Sequence, residues 1–191
     1  MTELFVLAEH RRGELRDVTF EMLTKGRELS QKTNMDLTAV LLGHNVKEFA
    51  KKLADHAKKV LIVDDARLEN FNAEAYQKVL SHLISERKPS LTLIGHTAFG
   101  VDLAPSLATE LNVPLATDCV DVDFEEEKLI AVRQVYGGKV NVKVSLRKSE
   151  NYIVTLRSAT FEAKQVEPLG GETIEVPSPL KEDRPYKRFI E

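Results

Sequence analysis

The sequence predicts an α/β protein: a parallel sheet flanked by helices, with antiparallel strands added toward the C-terminus. Three observations carry this. Short apolar runs of strand length alternate with segments of helical spacing over residues 4–111. Those runs are apolar at successive positions rather than alternate ones, which requires cover on both faces and so a parallel sheet with right-handed helical crossovers. After Pro114 the pattern changes to strict alternation, the mark of strands half-covered on one face.

The elements follow in order. Leu4 to Ala8 is the first apolar run, and Gly13 supplies a turn. A helix is expected from Asp17 to Ser30, with Val18, Met22 and Leu29 on one face. Leu37 to Leu42 is the second strand, stopped by Gly43. Asn45 stands three residues before Glu48, the spacing of a capping box, and Val46, Phe49, Ala50, Leu53, Ala54 and Ala57 form the next stripe. Val60 to Val63 is the third strand. Asn72 is placed to cap a helix whose stripe is Tyr76, Val79, Leu80, Leu83 and Ile84. Leu91 to Ile94 is the fourth strand, and a helix over 101–111 presents Ala104, Leu107, Ala108 and Leu111, with Pro105 expected in its first turn.

Beyond Pro114, Val120, Val122 and Phe124 interleave with Asp121, Asp123 and Glu125. Val140, Val142, Val144 and Leu146 interleave with Lys139, Asn141, Lys143, Ser145 and Arg147, so both segments read as half-buried strands. Gly137-Gly138 provides the turn between Leu129–Tyr136 and Val140–Leu146, and Tyr152 to Leu156 reads as a further strand of this antiparallel part. Two parts are expected: a domain over residues 1–168, and an extended, Pro-containing tail or linker over 169–191, where Pro177, Pro179 and Pro185 fall.

Composition narrows the function classes. The 191 residues carry 27 Lys plus Arg against 30 Asp plus Glu, a net charge of −3. This is length enough for one self-sufficient core. With a pI near 6.0, there is no broad basic field of the kind a dedicated nucleic-acid binder carries. The single cysteine, Cys119, forms no internal disulfide and excludes zinc-ribbon and Cys-pair redox chemistry. No basic-then-apolar leader opens the chain, and no apolar run approaches the roughly 18 residues of a membrane span, so a cytoplasmic location is expected.

Ligands of open parallel sheets bind beyond the carboxyl ends of the strands. Those ends hold Glu9-His10, Gly43-His44 and Gly95-His96-Thr97. Three histidines on one edge raise a metal reading, but no acidic ligand pattern accompanies them, and solvated turn residues are the expectation. Gly95 to Gly100 has the glycine spacing of a phosphate loop without its Lys-Ser/Thr ending, since Val101-Asp102 follow, and a tight strand-to-helix turn is expected. Were a nucleotide bound by this chain, Ala8, Glu9, Gly95 and Thr97 would line its site. The acidic run Asp118, Asp121, Asp123, Glu125, Glu126 and Glu127 is expected to be a solvated strand face paired across strands with Lys139, Lys143 and Arg147. No catalytic triad order, nucleophile elbow or metal ligand set appears, so no catalytic residue is assigned.

Ordered blocks carry a resemblance. Leu4 to His10, Gly13-Glu14-Leu15, Gly26 to Leu29, Ala39 to Gly43 and Lys59 to Asp65 come first. Lys88-Pro89, Ile94-Gly95, Thr97 to Gly100, Asp102 to Pro105 and Leu107-Ala108 form the most specific group. Thr117-Asp118-Cys119, Arg133, Tyr136-Gly137-Gly138 and Thr155-Leu156-Arg157 follow. Over residues 3–161 the chain resembles the N-terminal domain of the electron transfer flavoprotein alpha subunit. The resemblance implies a Rossmann-like, adenine-nucleotide alpha-hydrolase-like fold and a non-catalytic scaffold that pairs with a beta-like subunit. It also implies an FAD held mainly by a second, C-terminal domain of the alpha subunit, so no cofactor is expected on this chain alone. The alternative is a stand-alone AMP-, ATP- or FAD-binding α/β protein or a small nucleotide-using enzyme; a separate flavin-domain protein as a further partner, and self-association in place of the beta-like partner, are also open. Three positions depart from the family pattern: Val101 where arginine is usual, Lys139 where asparagine often follows the two glycines, and Ser158-Ala159 where Pro-Gly usually follows the arginine.

Overall fold

The computed structural model describes residues 3–126, 128–164 and 167–181. Pro185 of the expected tail and Glu127 of the acidic run lie outside the described residues.

Strand β1 (Glu3–Ala8) leads into a two-residue hairpin of β2 (His10–Arg11) and β3 (Glu14–Leu15), turned by Arg12 and Gly13 at positive φ. Helix α1 (Asp17–Thr33), β4 (Asp36–Gly43), α2 (Lys47–Ala54) and β5 (Lys59–Asp64) follow. A short 3-10 turn (Ala66–Leu68), α3 (Ala73–Arg87), β6 (Leu91–Gly95) and α4 (Ala98–Leu111) complete the repeating part. The remainder is all strand: β7 (Leu115–Glu125), β8 (Lys128–Val135), β9 (Val140–Ser145), β10 (Tyr152–Leu156) and β11 (Glu172–Glu175).

The main sheet has the order β11-β5-β4-β1-β6-β10-β7-β8-β9; the first seven run parallel, and β8 and β9 return antiparallel. The uninterrupted apolar runs are explained by two cores. Leu4, Val6 and Ala8 join α1 and α2 on one face, while Phe5 and Leu7 join α3 and α4 on the other. Val60 and Ile62 alternate with Leu61 and Val63 in the same way.

Several local expectations need correction. Tyr152–Leu156 belongs to the parallel part: β10 is inserted between β6 and β7 and buried throughout, which is why it reads as a continuous apolar run. The Asn45 capping box does not form. Val46 occupies the cap without a side-chain bond, and the positive φ of Asn45 lets its amide donate to Asp64 instead. Helix α4 starts at Ala98, so Pro105 sits well inside it, where it deletes a helical hydrogen bond. Asn72, by contrast, caps α3 by accepting from the Glu74 and Ala75 amides.

Strand β9 is exposed along its whole length rather than half-buried: it is the last strand of the sheet, and the buried core ends at Leu129 and Ala131 of β8 and at Leu146 just past β9. A bulge between Cys119 and Asp121 shifts the alternation of β7, so that Cys119 and Val122 are the buried pair. The described part of 169–181 does not leave the domain as a linker. Strand β11 pairs with β5, and Ile174, Val176 and Leu180 pack against the α3/α4 core. Gly171 permits this: a Cβ there would lie 2.0 Å from the Ala57 carbonyl oxygen.

Candidate functional site at the carboxyl edge

From β1 the chain moves to β4 and β5 on one side, then crosses to β6 on the other, so the topological switch point lies between β1 and β6. That is where an open α/β sheet leaves a crevice. Ala8 ends β1 and Gly95 ends β6; Glu9 and Thr97 follow them, so the four residues placed at the strand ends by sequence meet at one point. The Thr97 hydroxyl donates to Glu9 Oε2 at 2.7 Å. Thr97 Oγ1 itself accepts from the amides of Phe99 (3.2 Å) and Gly100 (3.4 Å), capping α4. Glu9 is anchored by its backbone: its amide donates to Thr19 Oγ1, and its carbonyl accepts from the Thr19 hydroxyl and the Arg16 amide.

This arrangement uses up the features that would hold a phosphate. The helix N-terminal amides are satisfied by a hydroxyl, and a carboxylate stands in front of them, where it repels a second anion. Gly100 serves close packing, since a Cβ would lie 1.9 Å from the Gly95 carbonyl oxygen. The rings of Phe71 and Phe99 stack 4.1 Å apart over the crevice, and Tyr76 meets Phe71 edge-on while donating to the Leu42 carbonyl. The cavity left beneath is about 20 Å³, room for a single water. Ligand sites of drug or nucleotide size need roughly 300 Å³ or more. The crevice residues therefore do not fit an adenine nucleotide or FAD. Outside the stack lies an open groove of about 460 Å³, lined by cations at Arg11 and Arg12 and carboxylates at Glu48 and Glu69.

The strand-end histidines do not converge. His10 Nε2 bonds the Leu42 carbonyl at 2.7 Å, His44 Nδ1 lies 3.4 Å from Asp64, and His96 Nδ1 bonds Thr155 Oγ1 at 2.9 Å. Among the described residues no cluster of three His, Cys, Asp or Glu side chains is arranged to hold a metal.

Sequence reasoning missed a second constellation on the same edge. Arg157, just past β10, donates through Nε and Nη2 to both Asp118 oxygens at 2.8 Å, and through Nη1 to Gln134 at 2.7 Å. This guanidinium, aided by His96 and Arg133, holds the Asp118 carboxyl below the usual carboxylate range. Asp118 has a φ of 55°, an unusual conformation inside a strand, at the start of the β7 irregularity. Only the presence of Thr117-Asp118-Cys119 and Arg157 in the resemblance hinted at this pair.

The acidic run stays in contact with solvent, as expected, but most of its pairing partners differ from those the alternation suggested. Asp121 meets Lys25 of α1 at 2.9 Å, Asp123 meets Lys32 at 2.6 Å, and Glu125 meets Lys143 at 3.5 Å. Of the expected cross-strand lysine and arginine partners, Lys143 alone takes this role among the described residues; Arg147 donates to the Asn112 carbonyl. The departures from the family pattern fall on the surface or in turns. Val101 is half exposed, Lys139 closes the β8-β9 turn, and Ser158-Ala159 precede a loop held by buried Glu21. The Glu21 carboxylate accepts from the amides of Ala159, Thr160 and Phe161.

Fold and edge together define a class: an open Rossmann-like α/β domain whose switch point is closed by its own side chains. The chain belongs to the electron transfer flavoprotein domain family, whose model matches residues 4–180. It is similar to the electron transfer flavoprotein subunit alpha of Clostridium acetobutylicum, with 40% identity over 162 residues, which is 83% of this chain and 48% of that one. The Megasphaera elsdenii subunit alpha is 33% identical over 192 residues, covering 98% of this chain and 57% of the relative. The acryloyl-CoA reductase electron transfer subunit beta of Anaerotignum propionicum is 37% identical over 129 residues, 67% of this chain and 35% of that one. The chain thus spans about half the length of the curated relatives it matches.

Proposed function

We propose that this domain is the non-catalytic scaffold and docking part of an electron transfer flavoprotein alpha-like subunit. It pairs with a beta-like subunit in flavin-based electron transfer, and the FAD of the assembly is held outside this sheet. The observation that carries the reading is the closed switch point. Phe71, Phe99 and the Glu9–Thr97 bond occupy the crevice where a related sheet would take a nucleotide. Family membership supplies the electron-transfer context, and the single buried thiol suits the reducing cytoplasm in which we place it. Among the described residues no helix is long and apolar enough to cross a membrane.

Mixing the purified chain with its beta-like protein tests the pairing: a heterodimer on size exclusion is expected, and two separate peaks overturn it. A melting-temperature series with AMP, ATP and FAD tests the closed crevice. A bound ligand at about 100 times its Kd adds roughly 2.7 kcal/mol, so a clear upward shift with any of the three would favour the nucleotide-binding alternative.

A further inference from the structure

We infer that Arg67 is the latch of a detachable strap, residues 172–181, which closes over the outer edge of β5 and opens as a unit ahead of the rest of the sheet. Strand β5 carries the apolar run Val60 to Val63, and a bare strand of that kind at a sheet edge is a template for pairing with other chains. The closed strap covers it: Glu172 and Val176 donate their amides to the Lys58 and Ile62 carbonyls at 3.0 and 2.8 Å. It also presents the exposed carboxylates of Glu172 and Glu175 at the new edge, and charge there discourages further pairing.

Along the strand the hold is light. Ile174 alone of the four β11 residues is partly covered, and the Lys47–Glu175 ion pair joins side chains 57% and 64% exposed, a kind that contributes little. The firmer hold lies just beyond the strand, in a closed ring of contacts. Asp65, which follows β5, accepts from the Arg67 backbone amide at 3.0 Å and from Arg67 Nε and Nη2 at 2.9 and 2.6 Å, so the guanidinium is aimed. Nη2 also donates to the Leu180 carbonyl at 2.7 Å. The Leu180 amide in turn donates to Ser178 Oγ at 3.3 Å. The ring closes at Asp65, whose carboxyl is held below its usual range chiefly by Arg67, with the Ser178 hydroxyl contributing. Pro177 and Pro179 flank Ser178 and fix the backbone there, so little freedom is lost on closing. Ile174, Val176 and Leu180 seat the strap on the α3/α4 core. A unit with an exposed ladder, three seated side chains and one charged latch opens before a sheet centre that is covered on both faces.

The test is amide hydrogen exchange by NMR on the full chain, read at Glu172, Val176 and Leu180 for the strap and at Val6 and Leu7 of β1 for the sheet centre. Arg67→Gln removes the latch while keeping the backbone amide that donates to Asp65. It should accelerate exchange at the three strap amides about tenfold or more, and at β1 by less than about twofold. Ser178→Ala, which leaves no charge unpaired, should accelerate the same three amides by about threefold or more. The control Lys47→Ala removes only the exposed pair with Glu175 and should change them by less than about twofold. Strap amides that stay within about twofold of wild type in Arg67→Gln overturn the inference. Equal acceleration at the strap and at β1 also overturns it, since Arg67 would then be a general support of the fold and no latch. If Arg67→Gln does not fold, Ser178→Ala decides by the same comparison.

Discussion

The Thr97 hydroxyl donates to the Glu9 carboxylate across the switch point of the sheet at 2.7 Å, joining residues 88 positions apart. One side chain thereby caps a helix and turns the phosphate-binding end of that helix toward an anion the chain already owns. Thr97→Ala should cost on the order of 1 kcal/mol through the lost cap. It should not create nucleotide binding, because Glu9 and the Phe71–Phe99 stack remain. Urea unfolding measures the first outcome and thermal shift with AMP the second.

Asp118 and Arg157 give a pH dependence. The folded-state carboxyl is held below its unfolded value, chiefly by the Arg157 hydrogen bonds. Its stabilising contribution is therefore fully present above the unfolded pKa of about 3.9 and lost as pH falls through the lowered folded value. Asp118→Asn, which tolerates the positive φ, should lower stability at pH 7 by on the order of 1 kcal/mol, the pair being partly screened by solvent. Below about pH 3 the gap between wild type and variant should narrow. Chemical melts at pH 7 and pH 3 check both.

Ala159 sits at a φ of 58° where the family pattern usually has glycine. A left-handed alanine costs roughly 1 kcal/mol, and part of what glycine would recover is lost to its greater freedom when unfolded. Ala159→Gly should raise stability by about 0.5 kcal/mol in the same melts. A destabilised variant would mean that the Glu21 bonds to the 159–161 amides already remove the strain.

Burial pushes the Cys119 thiol up to about 12, despite the nearby Arg133 charge. The native chain should resist iodoacetamide at pH 8 and react fully once unfolded in guanidinium. Rapid labelling of the native state would contradict the packing of Cys119 between β7 and its neighbours.

Gly171→Val places a side chain against the Ala57 carbonyl and should lift β11 from β5. Hydrogen exchange should then accelerate at residues 172–176 while the β1-β4-β6 centre stays protected, because β11 is the edge strand and takes its ladder from β5. Unchanged protection of 172–176 would show that the strand tolerates displacement at its start.

Sequence periodicity exposed the four βα repeats, since burial on two faces leaves a local imprint on successive residues. It also identified the Asn72 cap, a contact between residues two and three apart. It misread β10, because a buried strand looks alike whether it runs with or against its neighbours. It misread β9 for a related reason: alternation records which residues are apolar and says nothing of whether a helix arrives to cover them.

By itself, then, the sequence determined an open parallel α/β sheet, its family, and the strand ends where Ala8, Glu9, Gly95 and Thr97 lie. Only the tertiary structure decided that Glu9 reaches Thr97, that Arg157 grips Asp118 from 39 residues away, and that β11 folds back beside β5. The reason is physical. Propensity and hydrophobic spacing act over a few residues, whereas these contacts are set by strand order, a bulge and the reach of helices across a sheet, which are properties of the packed whole.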